Sequence, residues 1–201
     1  MTLSLKSVRA AAGILVVVAA LLMDPVRAQD VPQPAGVCVA CHAIRDVPAN
    51  SLNPIIWGQN EGYLYLQLRD FKRAARASES DASMHALTEA MTDAQMLEIA
   101  KYVSAQPWPK LLDGITPPSD PLYLRGAQIV AYGDCGGCHF NNLQGYSANP
   151  RLRGQTPAYL NVTINEFRSG KRGNAPGMSD FLRIYNIEDI HAIVAFLSSA
   201  D

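Results

Sequence analysis

The pentad Cys38-Val39-Ala40-Cys41-His42 returns as Cys135-Gly136-Gly137-Cys138-His139, and the two hold all four cysteines of the chain. C-x-x-C-H is a covalent haem attachment pattern: both thiols add across the haem vinyl groups, and the following residue sets an imidazole beneath the iron. Three plainer readings compete. A redox dithiol has no need of the histidine that follows. A zinc site would want further ligands, which the two remaining histidines, His85 and His191, supply poorly. Two disulfides would suit an exported protein but leave both pentad histidines unexplained. The reading is two c-type haems on Cys38, Cys41, Cys135 and Cys138, with His42 and His139 as iron ligands.

The repetition extends beyond the pentads. Cys38 pairs with Cys135 at an offset of 97. Asn53-Pro54 pairs with Asn149-Pro150, Gly58-Gln59 with Gly154-Gln155, Tyr63-Leu64 with Tyr159-Leu160, Phe71 with Phe167 and Arg76 with Arg172, all at 96. Met84 pairs with Met178, and Met96, Ile99, Tyr102 and Val103 with Ile190, Ile193, Phe196 and Leu197, at 94. A slowly drifting offset is what a duplicated domain leaves behind. The expected organisation is a signal peptide over 1–28, a first domain over 29–106, a proline-rich linker over 107–119 and a second domain over 120–201.

The signal peptide is read from Lys6 and Arg9, the apolar run Ala10 to Met23 and the small residues of Val26-Arg27-Ala28, with cleavage after Ala28. That run is shorter than the roughly 20 residues of a membrane span. The mature chain is therefore expected to be exported to the periplasm without a span. Losing residues 1–28 takes the formal net charge from −1 to −3, and haem propionates would add to it. A chain of that sign with no basic stripe is not a nucleic-acid binder.

Helical periodicity dominates the remainder. Tyr63 to Arg76 carries apolar residues on one face, and Pro157 to Ser169, closed by Gly170, is its counterpart. Thr92 and Asn186 are expected to cap helices running to about Ala105 and Ser199. Pro121 opens a helix of about three turns before the second pentad. Residues 30–37, with two prolines, are too short to provide its equivalent before the first. No stretch alternates as a strand, so the fold class is all-α.

An iron held on one histidine needs a sixth ligand or keeps an open site. Met178 is the only methionine of the second repeat, in a Gly/Pro-rich loop, and lies eight residues before Asn186; Met84 lies eight before Thr92. Met91 and Met96 read as core packing. His85, next to Met84, is an alternative one position out of register. Met84 and Met178 are thus the expected second ligands, soft neutral thioethers that favour ferrous iron.

The pentads, the Asn-Pro pairs, the Gly-Gln-x-x-x-Tyr-Leu segments and the two methionines resemble tandem diheme class I cytochromes c, of the cytochrome c-four type, over residues 35–199. The resemblance implies two class I cytochrome c domains, each wrapped around one covalent haem. It also implies that the carbonyls of Pro54 and Pro150 accept the free ring N–H of His42 and His139, and that the haems approach one another through the domain interface. Two departures stand out: domain one lacks the N-terminal helix, which would leave apolar surface open to a permanent partner, and Arg153 replaces the equivalent of Trp57.

The expected function is periplasmic electron transfer, not enzymatic chemistry, as a shuttle between a quinol-oxidising complex and a terminal oxidase. The alternative is a diheme electron-accepting subunit of a periplasmic dehydrogenase, as in flavocytochrome c sulfide dehydrogenase. A haem enzyme would need an open iron site.

Overall fold

The computed structural model describes residues 33–44, 46–76, 78–110 and 117–199. The expected signal peptide and the centre of the linker lie outside these. Among the described residues the regular elements are helical, with one isolated bridge between Tyr146 and Asn149. The fold is all-α, as two similar helical repeats in tandem.

In the first repeat a single helical turn, α1 (Val39–His42), follows a 3-10 turn at Ala35–Cys38. Next come α2 (Glu61–Lys72), α3 (Ala82–Thr88) and α4 (Asp93–Ser104). The second repeat has α5 (Pro121–Tyr132), α6 (Cys135–His139), α7 (Pro157–Ser169), α8 (Pro176–Leu182) and α9 (Ile187–Ser198). The long helices form where apolar residues recur at helical spacing. Leu64, Leu68 and Phe71 are buried on α2, Met96, Ile99, Ala100 and Val103 on α4, and Leu160, Ile164 and Phe167 on α7. Both expected caps are closed boxes. Thr92 Oγ1 accepts from the Gln95 amide at 3.2 Å while Gln95 Oε1 accepts from the Thr92 amide at 2.9 Å; Asn186 and Asp189 exchange the same pair of bonds.

Two apolar cores result. The first packs α2 and α4 around Trp57, and the second packs α7 and α9 with Val130 of α5 and Leu182 of α8. Met96 is fully buried and Met91 nearly so, which agrees with their reading as core. His191 is exposed.

The structure departs from the sequence reading in two places. The helix expected to reach Arg76 ends at Lys72, because the chain turns at Ala74 with φ 53° and brings Arg76 back to Asp81. Met178 is not in a loop: it and Met84 sit on the seven-residue helices α8 and α3. Those helices are too short to show a period and are held by packing, α3 on α2 and α8 on α7.

A further difference between the repeats lies on the face of α4 that matches the α5-covered face of α9. In the second repeat α5 crosses α9, burying Ala192 and Ala195 and setting Tyr123 edge-on to Phe196 at 5.2 Å. At the corresponding positions α4 carries Glu98, Lys101 and Tyr102, of which the first two are exposed. A depression of about 330 Å³ lined by Gln33, Pro34, Ala35, Glu98, Ile99, Lys101 and Tyr102 marks the place. Glu98 and Lys101 thus stand where α9 has two alanines, and the depression they border is also lined by Pro34, Ala35, Ile99 and Tyr102.

Candidate haem sites and the domain interface

Each pentad folds as one helical turn that ends at its histidine. The chain then reverses through a residue in the left-handed region, Ala43 (φ 51°) in one repeat and Phe140 (φ 61°) in the other. With ψ −179° and 174°, that conformation costs a residue with a Cβ on the order of 1–3 kcal/mol. The reversal returns the Asn-Pro segment to the imidazole. His42 Nδ1 lies 2.8 Å from the carbonyl oxygen of Pro54, and His139 Nδ1 lies 3.0 Å from that of Pro150. A carbonyl can only accept, so Nδ1 carries the proton and Nε2 keeps its lone pair. Burial lowers the pKa of both imidazoles, against the opposing pull of the proline carbonyls, and keeps them neutral. These are neutral imidazoles with one nitrogen fixed and the other available to a metal.

The thiols behave in kind. Burial pushes the Cys38 thiol up to about 11 and raises Cys135 as well. A redox dithiol needs the opposite, a depressed pKa. The four cysteines are unpaired, and among the described residues no group of three or more His, Cys, Asp or Glu residues gathers as a metal cluster would. None of the dithiol, disulfide and zinc readings gains support from this arrangement. Met84 and Met178 are half-buried against the first and second cores. His85 shares α3 with Met84, and its Nδ1 is 2.6 Å from the carbonyl of Phe71.

The two Gly-Gln pairs lie where the domains meet, a role their sequence did not disclose. Gly58 and Gly154 adopt φ 78° and 72°, and their amides donate to the carbonyls of Val103 and Leu197 at the ends of α4 and α9. A Cβ on Gly58 would meet the backbone of Gln106 and Trp108 at 2.8 Å, and one on Gly154 would meet Trp108 Nε1 at 3.0 Å. The start of the linker is therefore docked on both repeats, with Arg151 stacked over the Trp108 ring at 4.7 Å. Trp57, fully buried, donates through Nε1 to the carbonyl of His42 at 3.0 Å. Its counterpart Arg153 lies over Phe196 at 4.3 Å and donates to the Phe196 carbonyl at 2.9 Å. The swap thus exchanges an aromatic edge for a cation over the same helix end.

Beside the glutamines, Arg76 and Arg172 each reach into the opposite repeat. Arg172 donates to the Tyr63 hydroxyl at 3.2 Å and Arg76 approaches the Tyr159 hydroxyl at 3.5 Å. Arg76 is paired with Asp81 at 3.0 Å. Arg172 meets neutral partners instead, Gln67 Oε1 at 2.9 Å and Asn174 Oδ1 at 3.0 Å. Burial raises the pKa of Tyr63; at Tyr159 the same effect is outweighed by Arg76 and Arg172, which bring it down to about 7. Arg172 is 2% exposed, and its Nη1 has no partner among the described residues. An unsatisfied buried donor costs on the order of 1–3 kcal/mol. The cluster has the character of an anion site, and a haem propionate fits its donors.

Comparison with known proteins agrees with this geometry. The "Cytochrome c" family model matches residues 123–201. Cytochrome c4 of Thiocapsa roseopersicina is 34% identical over 149 residues, 70% of this chain and 74% of that protein. The thiosulfate dehydrogenase electron acceptor of Thiomonas intermedia (strain K12) is 31% identical over 153 residues, 72% of this chain and 69% of that protein. The solved cytochrome c4 of Acidithiobacillus ferrooxidans superposes with a TM-score of 0.72 at 26% identity, covering 81% of this chain and 98% of that one. Duplicated attachment pentads, duplicated folds and these relatives lead to one conclusion: the chain belongs to the cytochrome c4 family of diheme electron-transfer cytochromes, with haem c as its cofactor.

Proposed function

We propose that this protein is a periplasmic shuttle, exported by a signal peptide over 1–28, that carries electrons between larger redox complexes and makes no bonds itself. In this reading Cys38 and Cys41 hold one haem in a domain over 29–106, and Cys135 and Cys138 hold the other in a domain over 120–201. His42 with Met84, and His139 with Met178, are the iron ligands. When bound, each haem supplies a one-electron couple at its iron. The protein's part is to fix the imidazoles, exclude water and keep the sixth position filled. The observation that carries the reading is the pair of buried neutral imidazoles, each with Nδ1 tied to a proline carbonyl and Nε2 left for iron. No helix among the described residues is long and apolar enough to cross a membrane.

The partner-facing surface is supported by an asymmetry. Next to the second pentad, Tyr132 is 91% and Ile184 79% exposed, with Phe181 and Ile187 about half exposed. Their counterparts in the first repeat are Ala35, Ala90, Leu87 and Asp93, of which Leu87 alone is a large apolar residue. Two charge pairs beside the patch are internal, Arg125 with Asp189 at 2.7 Å and Arg183 with Asp180 at 3.2 Å, while Asp134 and Glu188 stand exposed at its edge. An apolar patch suits a transient partner that contacts by surface fit. The partners fitting this role are a quinol-oxidising complex and a terminal oxidase. A second reading, electron acceptor of a dehydrogenase, draws support from the relative named for thiosulfate dehydrogenase. Co-purification at near-native salt separates the two, since only a subunit retains a stoichiometric partner.

The ligand set is tested by spectroscopy of the ferric holoprotein. The weak near-infrared band of methionine-sulfur ligation is expected at an intensity equal to two haems. Half that intensity would put His85 in place of Met84, and a high-spin spectrum would overturn the carrier reading altogether.

A further inference from the structure

Each repeat's glutamine is bonded to the segment that orients the other repeat's axial histidine. Gln155 Oε1 accepts from the Ile55 amide at 2.8 Å, and its Nε2 donates to the Ile55 carbonyl at 2.9 Å. Gln59 does the same to Arg151, accepting from its amide at 2.7 Å and donating to its carbonyl at 3.0 Å. Both glutamines are 3% exposed. The Ile55 amide belongs to the same peptide unit as the Pro54 carbonyl, and that carbonyl takes the His42 Nδ1 proton at 2.8 Å. Likewise the Arg151 amide and the Pro150 carbonyl form one peptide, whose oxygen takes the His139 proton at 3.0 Å. An unbroken relay therefore runs from Gln155 through the Pro54–Ile55 peptide to His42, and a second one runs from Gln59 through the Pro150–Arg151 peptide to His139.

A peptide whose N–H is bonded becomes a better acceptor at its C=O, because both bonds favour the same charge-separated resonance form. A stronger acceptor at Nδ1–H makes the imidazole more basic toward its metal. We infer that Gln59 and Gln155 are positioning residues acting across the domain interface, each setting the donor strength of the other domain's histidine ligand. Docking of the domains and tuning of the two redox centres are then one event, since neither relay is complete in a lone domain. The inference rests on His42 and His139 being the iron ligands.

The direction follows from charge. A less basic imidazole stabilises ferric iron less, so breaking a relay raises the potential of the haem it serves. Loosening the interface and admitting water has the opposite effect, favouring the more charged ferric state at both haems. The test uses the mature diheme protein with Gln155→Met, which keeps the side-chain length and removes the amide, and the reciprocal Gln59→Met. Spectroelectrochemical titration reads the potentials, and proton NMR of the ferrous protein reads the two histidine Nδ1–H resonances. Gln155→Met is expected to raise only the Cys38/Cys41 wave and to move the His42 Nδ1–H resonance upfield; Gln59→Met is expected to do so only for the Cys135/Cys138 wave and His139. Both waves falling together, each variant shifting its own domain's haem, or no shift in either would overturn the relay. Should Gln155→Met fail to fold, Gln155→Glu keeps an acceptor for the Ile55 amide; its first wave must fall more than its second, and equal movement of both overturns the proposal. A wild-type spectrum without histidine–methionine ligation would instead sink the ligand assignment, so the two failures remain distinguishable.

Discussion

Met178→Ala is expected to drop the potential of the second haem by on the order of 0.2 V, a fraction of the ~0.8 V that axial ligation commands. Met178 stands on α8 between the Pro176 start and Leu182, whose buried side chain pins the helix to the second core. Truncating a half-buried methionine costs about 1–2 kcal/mol of packing, at or below the low end of the range for full burial, so the chain still folds. Cys135, Cys138 and His139 still hold the haem, with the sixth position open. The measurable consequence is rapid carbon monoxide binding by one haem per molecule, alongside a low-spin spectrum for the other. Wild-type protein binding carbon monoxide as fast would show that Met178 is not the ligand. The mutation leaves both glutamine relays in place, so its effect is confined to the second wave.

The largest stability effect is expected at Gly126, where α5 crosses α9. A Cβ there would lie 1.9 Å from the carbonyl oxygen of Ala192, 2.6 Å from its carbon and 2.8 Å from Phe196 Cβ. The atoms met are helical backbone, so no side chain can swing away and α5 itself must retreat. Overpacking of this kind costs about 1–3 kcal/mol, and more against rigid backbone. The helix propensity gained on replacing glycine returns about 1 kcal/mol. Gly126→Ala should therefore destabilise the second domain by at least about 2 kcal/mol, the upper end of that range less the propensity returned. Thermal unfolding of the holoprotein reads this directly. Gln128→Ala, at an exposed position on the same helix, is the control; it should leave the transition within a degree or two, as an ordinary surface change does. A Gly126→Ala protein as stable as wild type would mean the two helices have room to separate.

What the sequence determined is what short-range chemistry dictates. The pentads and the caps at Thr92 and Asn186 each depend on a turn or two of chain. Residue type and spacing therefore carried them, as they carried Pro157 at the start of α7 and Gly170, at φ 76°, at its end. The repeat also selected Met84 over its neighbours, although not the helix it stands on. Helices α3 and α8 escape periodicity because seven residues cannot display it, and Pro176-Gly177 looks like loop until α7 provides a surface to lie on. The tertiary structure alone decided the rest. Gln59 and Gln155 meet partners 92 and 100 residues away, and Arg172 meets Tyr63 at a separation of 109. Nothing in a Gly-Gln pair signals a clamp on a distant peptide, because its partner is defined only when two domains dock. Glu98 and Lys101 likewise stand exposed on α4, whereas α5 covers Ala192 and Ala195 at the matching places of α9, a difference of packing rather than of pattern.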